Sequence, residues 1–188
     1  QYSAVPNPYA VPFSPFAPTY SYSTANNGGS AYFNGNANNN VSFTGTSLYL
    51  GGDFTIEGWF YSTSKAYQRL WCFPDGDNVE LMNGQIYYWK GSGAPIGSGA
   101  YSFNTNTWNH IACTRNNNIW TLWVNGVSQA TATSSSNPSM DTAAAIIGRF
   151  TSATANAFNG YLDDFRITTG VARYLQNFTP PQVALPRQ

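Results

Sequence analysis

Between residues 31 and 168 the chain is a succession of short runs in which apolar and polar residues alternate, recurring roughly every ten positions. They predict strands at Ala31–Phe33, Val41–Phe43, Phe54–Tyr61, Arg69–Phe73, Val79–Leu81, Gln85–Trp89, Trp108–Arg115, Ile119–Val124, Ala144–Ile147 and Tyr161–Thr168. Turn residues separate them: Asp75-Gly76-Asp77-Asn78, Asn83-Gly84, Asn116-Asn117-Asn118 and Asn125-Gly126. Asn-Gly between two such runs is a strong short-range hairpin signal, because both residues accept positive φ. No run has helical periodicity, no internal repeat is visible, and residues 134–141 read as a polar loop. Many short antiparallel strands joined by such turns imply an all-β antiparallel β-sandwich or jelly roll.

The ends depart from this pattern. In residues 1–28, Pro6, Pro8, Pro12, Pro15 and Pro18 alternate with Tyr2, Tyr9, Phe13, Phe16, Tyr20 and Tyr22, without a single charge. So many prolines cannot join a central sheet and favour extended backbone. A free linker needs no such run of aromatics, so an extended Pro/aromatic-rich N-terminal arm is expected. It would lie on a neighbouring subunit or on its own domain, with Tyr9, Phe13, Phe16 and Tyr20 as contacts; the alternative is a loose tail. Residues 179–188 read as a second short extended tail, which leaves 29–178 as the folded domain.

Composition narrows the partners. Of 188 residues, 16% are aromatic but only 9% charged, and Lys plus Arg (8) balances Asp plus Glu (8). Nucleic-acid binding needs a basic field that this chain lacks, and a polybasic membrane patch is missing for the same reason. No apolar run approaches the roughly 20 residues of a membrane span. The chain begins at Gln1 with no signal-peptide pattern, and is expected to be processed or excised from something longer. Hydrophobic content of 42% is ample for a core, which argues against disorder. Cys72 and Cys113 make no zinc motif, and His110 is the sole histidine. The two cysteines form a disulfide if their strands are neighbours; otherwise they serve as small reduced core residues, the favoured reading.

Several segments together resemble one family. Asp53-Phe54-Thr55-Ile56-Glu57-Gly58-Trp59-Phe60-Tyr61 is similar to the "FTIE-x-W" strand of laminin-G-like, concanavalin A-like domains. Trp108-Asn109-His110-Ile111-Ala112-Cys113-Thr114-Arg115 resembles their "W-x-H-v-a-v-t-r" strand, with Cys113 where an aliphatic residue is usual. Leu122-Trp123-Val124-Asn125-Gly126, Ile146-Ile147-Gly148-Arg149 and the segment from Phe158 to Ile167 follow in the family's order and spacing. The ending Thr168-Thr169-Gly170-Val171-Ala172-Arg173-Tyr174, then Asn177-Phe178-Thr179-Pro180-Pro181, resembles laminin-G-like domains of bacteriophage virion proteins. The resemblance implies a concanavalin A-like jelly roll over about residues 29–178, in a phage tail or capsid decoration protein or a bacterial relative.

Strand parity then sorts side chains. Phe54, Ile56, Gly58 and Phe60 point one way, and Thr55, Glu57, Trp59 and Tyr61 the other. In the last strand Tyr161, Asp163, Phe165 and Ile167 alternate with Leu162, Asp164 and Arg166. The family sets these two strands close together, which implies a structural ion pair between Glu57 and Arg166; an unpaired carboxylate mid-strand would be costly. Concanavalin A-like glycosidases carry paired carboxylates about 5 to 9 Å apart. The E-x-D-x-x-E run of the family's glucanases is absent here, and Asp163 and Asp164 are adjacent in a strand and face apart. A Ser/His/Asp triad would need His110, which sits within a predicted strand. No catalytic residue is expected, and the chain is read as not an enzyme.

Two binding chemistries stay open. Laminin-G-like domains often hold calcium in rim loops, and Asp75 and Asp77 offer hard oxygens at suitable spacing, although Asp-Gly-Asp-Asn is also an ordinary turn. Otherwise no cofactor is expected. Exposed aromatics can stack on sugar rings, and Trp59, Tyr61, Tyr87 and Trp89 are the candidates for glycan or partner contact, with Trp120 and Trp123 on opposite faces of their strand. The sequence reading is therefore a non-enzymatic structural virion protein, part of a capsid or tail, that works through contacts with other virion subunits. It is expected to be a homo-oligomer, with surface glycan a further partner. The alternatives are a carbohydrate-binding adhesion module, or an extracellular filament subunit whose arm donates a strand.

Overall fold

The computed structural model describes residues 30–43, 50–74, 76–90, 96, 101–138, 145–150, 155–183 and 185. The expected arm contacts Tyr9, Phe13, Phe16 and Tyr20 lie outside these residues, as does Asp75. Within them the alternating runs form β1 (Ala31–Asn34), β2 (Val41–Phe43), β3 (Phe54–Ser62), β4 (Gln68–Cys72), β5 (Asn78–Met82) and β6 (Gln85–Trp89). There follow β7 (Tyr101–Ser102), β8 (Trp108–Asn116), β9 (Ile119–Val124), β10 (Val127–Thr133), β11 (Ala145–Ile147) and β12 (Asn159–Thr169). The protein is an all-β sandwich of two antiparallel six-stranded sheets. The first has the order β1-β12-β3-β8-β9-β10 and the second β2-β11-β4-β5-β6-β7.

Three two-residue turns set the hairpin registers. Asn83-Gly84 (φ 55°, 78°), Asn117-Asn118 (47°, 66°) and Asn125-Gly126 (49°, 79°) each put both central residues at positive φ, the type I′ arrangement that matches strand twist. Asn and Gly accept that conformation where β-branched residues do not. The strands they join carry their apolar positions inward. Phe54, Ile56, Phe60, Ile111, Cys113, Trp120 and Leu122 come from the first sheet, and Leu70, Trp71, Val79, Leu81, Ile86 and Tyr88 from the second. Trp71 meets Phe165 edge-on across the sandwich at 5.4 Å.

Two strands were not foreseen. The edge strand β10 is built of Ser, Gln, Thr and Ala, and β7 has only two residues, so neither carries a strong apolar alternation. The strict alternation expected for residues 161–167 is also corrected. A bulge between Asp163 and Arg166, with Asp164 at φ 53°, shifts the phase. Leu162, Phe165 and Ile167 pack on the core, while Tyr161, Asp163 and Arg166 share the outer face. That shift places Arg166 in register with Glu57.

Both cysteines are buried, and no disulfide joins them. Cys113 lies in the core from β8, whereas Cys72, on β4 of the other sheet, pairs in register with Asn78. A disulfide would need neighbouring strands, and these belong to opposite sheets.

Candidate functional site

On the outer face of the first sheet, cross-strand register stacks like residues into rows. Thr168, Thr55, Thr114, Thr121 and Thr131 are successive partners across β12, β3, β8, β9 and β10. At the other end Tyr32, Tyr161, Tyr61 and Trp108 form an aromatic row across β1, β12, β3 and β8, with ring centroids 5.0, 5.9 and 5.7 Å apart. Between these rows lie Arg166, Glu57, Ala112 and Trp123.

After β12 the chain doubles back over this face. Thr55 Oγ1 donates to the Val171 carbonyl and accepts the Arg173 N–H, both at 2.9 Å. Arg173 Nε donates to Thr168 Oγ1 at 3.0 Å. The Phe178 N–H donates to the Gly126 carbonyl (2.9 Å), and the Ser128 N–H to Asn177 Oδ1 (3.0 Å). The Leu185 N–H donates to the carboxylate of Asp164 at 2.7 Å. Tyr174 and Phe178 stack at 3.5 Å, and Phe178 meets the edges of His110 (5.8 Å) and Trp123 (5.7 Å). Residues 171–178, with Leu185, thus form a strap over this face.

Under the strap, Glu57 is fully buried (0% exposed). Its carboxylate accepts from Arg166 Nη2 at 2.6 Å and Nε at 3.0 Å, and from the Tyr174 hydroxyl at 2.7 Å, with His110 Nε2 at 3.4 Å. Burial on its own would raise the Glu57 pKa, but hydrogen bonds from His110, Tyr174 and Arg166, with the Arg166 charge, hold it below the usual carboxylate range. Burial and the neighbouring Glu57 carboxylate push the Tyr174 hydroxyl upward, so it stays a donor. Glu, His and Tyr in contact suggest acid–base chemistry on paper. Here Glu57 and His110 (1% exposed) are closed to any substrate, and the cluster anchors the strap.

The same face carries a groove of about 330 Å³ between β8–β10 and the strap, lined by Thr114, Asn116, Thr121, Ser128, Thr131 and Gln176 among others. The outer face of the second sheet differs. Gln85, Tyr87 and Trp89 alternate outward along β6, and Tyr87 and Trp89 remain half-exposed, their rings 6.5 Å apart and tilted by 33°. Opposite Tyr87 in register lies Glu80, which binds Arg69 Nε (2.8 Å) and the Tyr67 hydroxyl (2.7 Å). Arg69 Nη2 also donates to the Tyr67 oxygen at 2.6 Å, and its guanidinium lies 4.1 Å from the centre of the Phe150 ring. Burial, then the Glu80 carboxylate, pushes the Tyr67 hydroxyl up to about 12. Two aromatic faces thus sit beside a charge-balanced set of fixed donors and acceptors.

The four expected aromatics therefore do not form one site. Tyr87 and Trp89 share the outer face of β6, each half-buried. Trp59 is on the opposite sheet, half-buried, with His110 at 5.1 Å edge-on. Tyr61, at 9% exposure, is packed edge-on against Trp108 and Tyr161 and offers no face to a sugar. Trp120 fills the core, while Trp123, on the outer face, is covered by Phe178. Glu57 and Arg166 are in direct contact. Asp77 turns inward to Lys90 Nζ (3.6 Å), which also lies over the Trp120 ring at 4.2 Å. Among the described residues, no group of three or more His, Cys, Asp or Glu clusters as metal ligands.

Little in the sequence points to His110, Tyr174, Asn177 and Phe178 on this face. Their one signal is an aromatic pair, Tyr174 and Phe178, set in an extended segment that ends in Pro180-Pro181.

Residues 34–173 match the family model described as the concanavalin A-like lectin/glucanases superfamily. The chain belongs to that superfamily. Its laminin-G-like fold recurs in solved structures at low identity. Domain 4 of AbnA, an extracellular arabinanase of Geobacillus stearothermophilus solved with arabinotriose, is 16% identical with a TM-score of 0.55, over 82% of this chain and 88% of that one. The binding domain of Paraclostridial Mosquitocidal Protein 1 is 18% identical (TM-score 0.61; 80% and 41%). Mouse laminin alpha1 LG4-5 is also 18% identical (TM-score 0.56; 79% and 44%). The chain thus spans under half of the laminin and mosquitocidal structures. No curated protein sequence matches it.

Proposed function

We propose that the protein is a non-catalytic module that binds uncharged glycan on the outer face of β4–β6. The observation that carries this is the pair Tyr87 and Trp89, half-exposed on one strand face beside the Arg69–Glu80–Tyr67 cluster. Aromatic faces take up the C–H surface of a sugar ring, and fixed polar groups read its hydroxyls. Arg69 is already neutralised by Glu80, so the face suits a neutral chain better than an anionic one. The fold shared with an arabinanase domain solved with arabinotriose supports the reading. On an array of neutral oligosaccharides the protein binds saturably, and Trp89→Ala lowers affinity at least tenfold, the order expected for an aromatic anchor. Unchanged array binding by Trp89→Ala and Tyr87→Ala would overturn the reading.

A second reading keeps the chain in a virion, as a capsid decoration or tail protein. It rests on the segment from Thr168 to Pro181, which resembles virion laminin-G-like domains, and on the uncharged Pro/aromatic stretch in residues 1–28. Removal of residues 1–22 then abolishes assembly. Electron microscopy of the purified protein separates a shell-bound or oligomeric form from a filament and from a monomer.

A further inference from the structure

We propose that the groove on the first sheet is a second ligand site, for the end or a short stretch of an uncharged saccharide. This inference goes beyond the β4–β6 reading, sharing its ligand class but none of its residues. The groove holds about 330 Å³, near the lower end of small-molecule pockets, which suits a short ligand. Its floor is the outer face of β8–β10, and its wall is the strap at residues 174–177.

The chemistry of the lining selects the ligand. Of the threonine row, Thr168 and Thr55 bind the strap and Thr114 accepts the Trp123 indole N–H at 2.9 Å. The remaining members, Thr121 and Thr131, line the groove with Ser128, Asn116 and Gln176. Hydroxyls and amides both donate and accept, as the hydroxyls of a sugar do. The only ionisable group in the lining, Tyr174, commits its hydroxyl to Glu57. A charged ligand would lose hydration there and find no counter-charge. An extended peptide lying on the groove floor would meet the side-chain face of the sheet and find no row of backbone partners there. Ile119 and Leu175, about half and two-thirds exposed (48% and 67%), flank the polar floor and can contact the C–H faces of a sugar.

The groove is also preformed. Tyr174–Glu57 (2.7 Å), Asn177–Ser128 (3.0 Å) and Phe178–Gly126 (2.9 Å) staple its wall to its floor. A ligand then orders little on binding. With sites on the outer faces of both sheets, one chain would cross-link two glycans without oligomerising.

The test is calorimetric titration with the strongest neutral oligosaccharides of the array, arabinotriose included, against wild type, Trp89→Ala, Thr121→Arg and Thr121→Val. Thermal melts verify that each variant is folded. Wild type should bind two ligands per chain, and Trp89→Ala and Thr121→Arg one each. Thr121→Val, which removes one hydroxyl at little cost to a strand, should weaken the groove site about threefold to tenfold. If Trp89→Ala abolishes all binding and Thr121→Arg changes nothing, the groove is not a site, while the β4–β6 reading stands. If Thr121→Arg abolishes all binding and Trp89→Ala changes nothing, the groove stands and the β4–β6 reading falls. Binding of none of the probes overturns both.

Discussion

On the outer face of β3 and β8 the chain covers its own side chains, whereas on the outer face of β6 Tyr87 and Trp89 stay half-exposed. Both faces began as polar or aromatic positions alternating with a core, and both carry an Arg–Glu pair. In the first, strap residues Tyr174 and Phe178 close over Glu57 and His110, and even outward positions of the strands are buried. In the second, Glu80 is also buried (4% exposed) beneath Arg69, but the Tyr87 and Trp89 rings beside the pair are only half-buried. Both carboxylates are buried and paired; what differs is the aromatic neighbours, which are covered by the strap on the first sheet and half-buried on β6.

Breaking the sealed face should have the largest effect. Glu57→Ala leaves Arg166 and His110 without their carboxylate under the strap, and should cost about 3 to 5 kcal/mol in denaturant unfolding. Gly126→Val comes next. Gly126 has φ +79°, and a Cβ there would lie 1.9 Å from the Phe178 carbonyl oxygen. That substitution should cost about 1 to 3 kcal/mol and speed amide exchange in residues 171–178, with exchange of the core strands less changed.

Acid should act through the same carboxylate. Because the folded pKa of Glu57 lies below its ordinary 4.5, its contribution is complete above that value and fades as pH falls through the folded pKa. Wild type should therefore lose stability more steeply than Glu57→Gln below about pH 4.5 in acid titration. Asp164 works the other way. Burial raises its pKa, so its protonation favours the folded state and partly offsets that loss. The smallest effect on stability belongs to the open face, where Trp89→Ala should cost about 1 kcal/mol in the same unfolding assay while still removing most glycan affinity.

Alternation and Asn-Gly turns located the long strands because each reports a local constraint: the pleat, or a positive φ. Features that depend on distant partners were not legible. The bulge at Asp164 re-phases β12 without any local apolar signal, and only the paired strand reveals it. The strap contacts join residues more than a hundred positions apart, such as Thr55 with Val171 and Glu57 with Tyr174. Asp77 reads as a turn carboxylate, yet its side chain turns inward to within 3.6 Å of Lys90, thirteen positions on in the sequence. Tyr61 reads as an outward aromatic, but the Tyr161 and Trp108 rings beside it on neighbouring strands enclose it. On β6 the alternation alone placed Tyr87 and Trp89 together, since no distant segment is needed to put i and i+2 on one face.

A non-catalytic glycan-reading face at Tyr87 and Trp89 can be followed residue by residue with nuclear magnetic resonance, by titration with a neutral oligosaccharide that the array identifies. Saturable shifts of the Trp89 indole N–H and of the Tyr87 ring are expected, with the oligosaccharide recovered intact. No shift at either residue while the ligand binds, or recovery of a cleaved oligosaccharide, would contradict it.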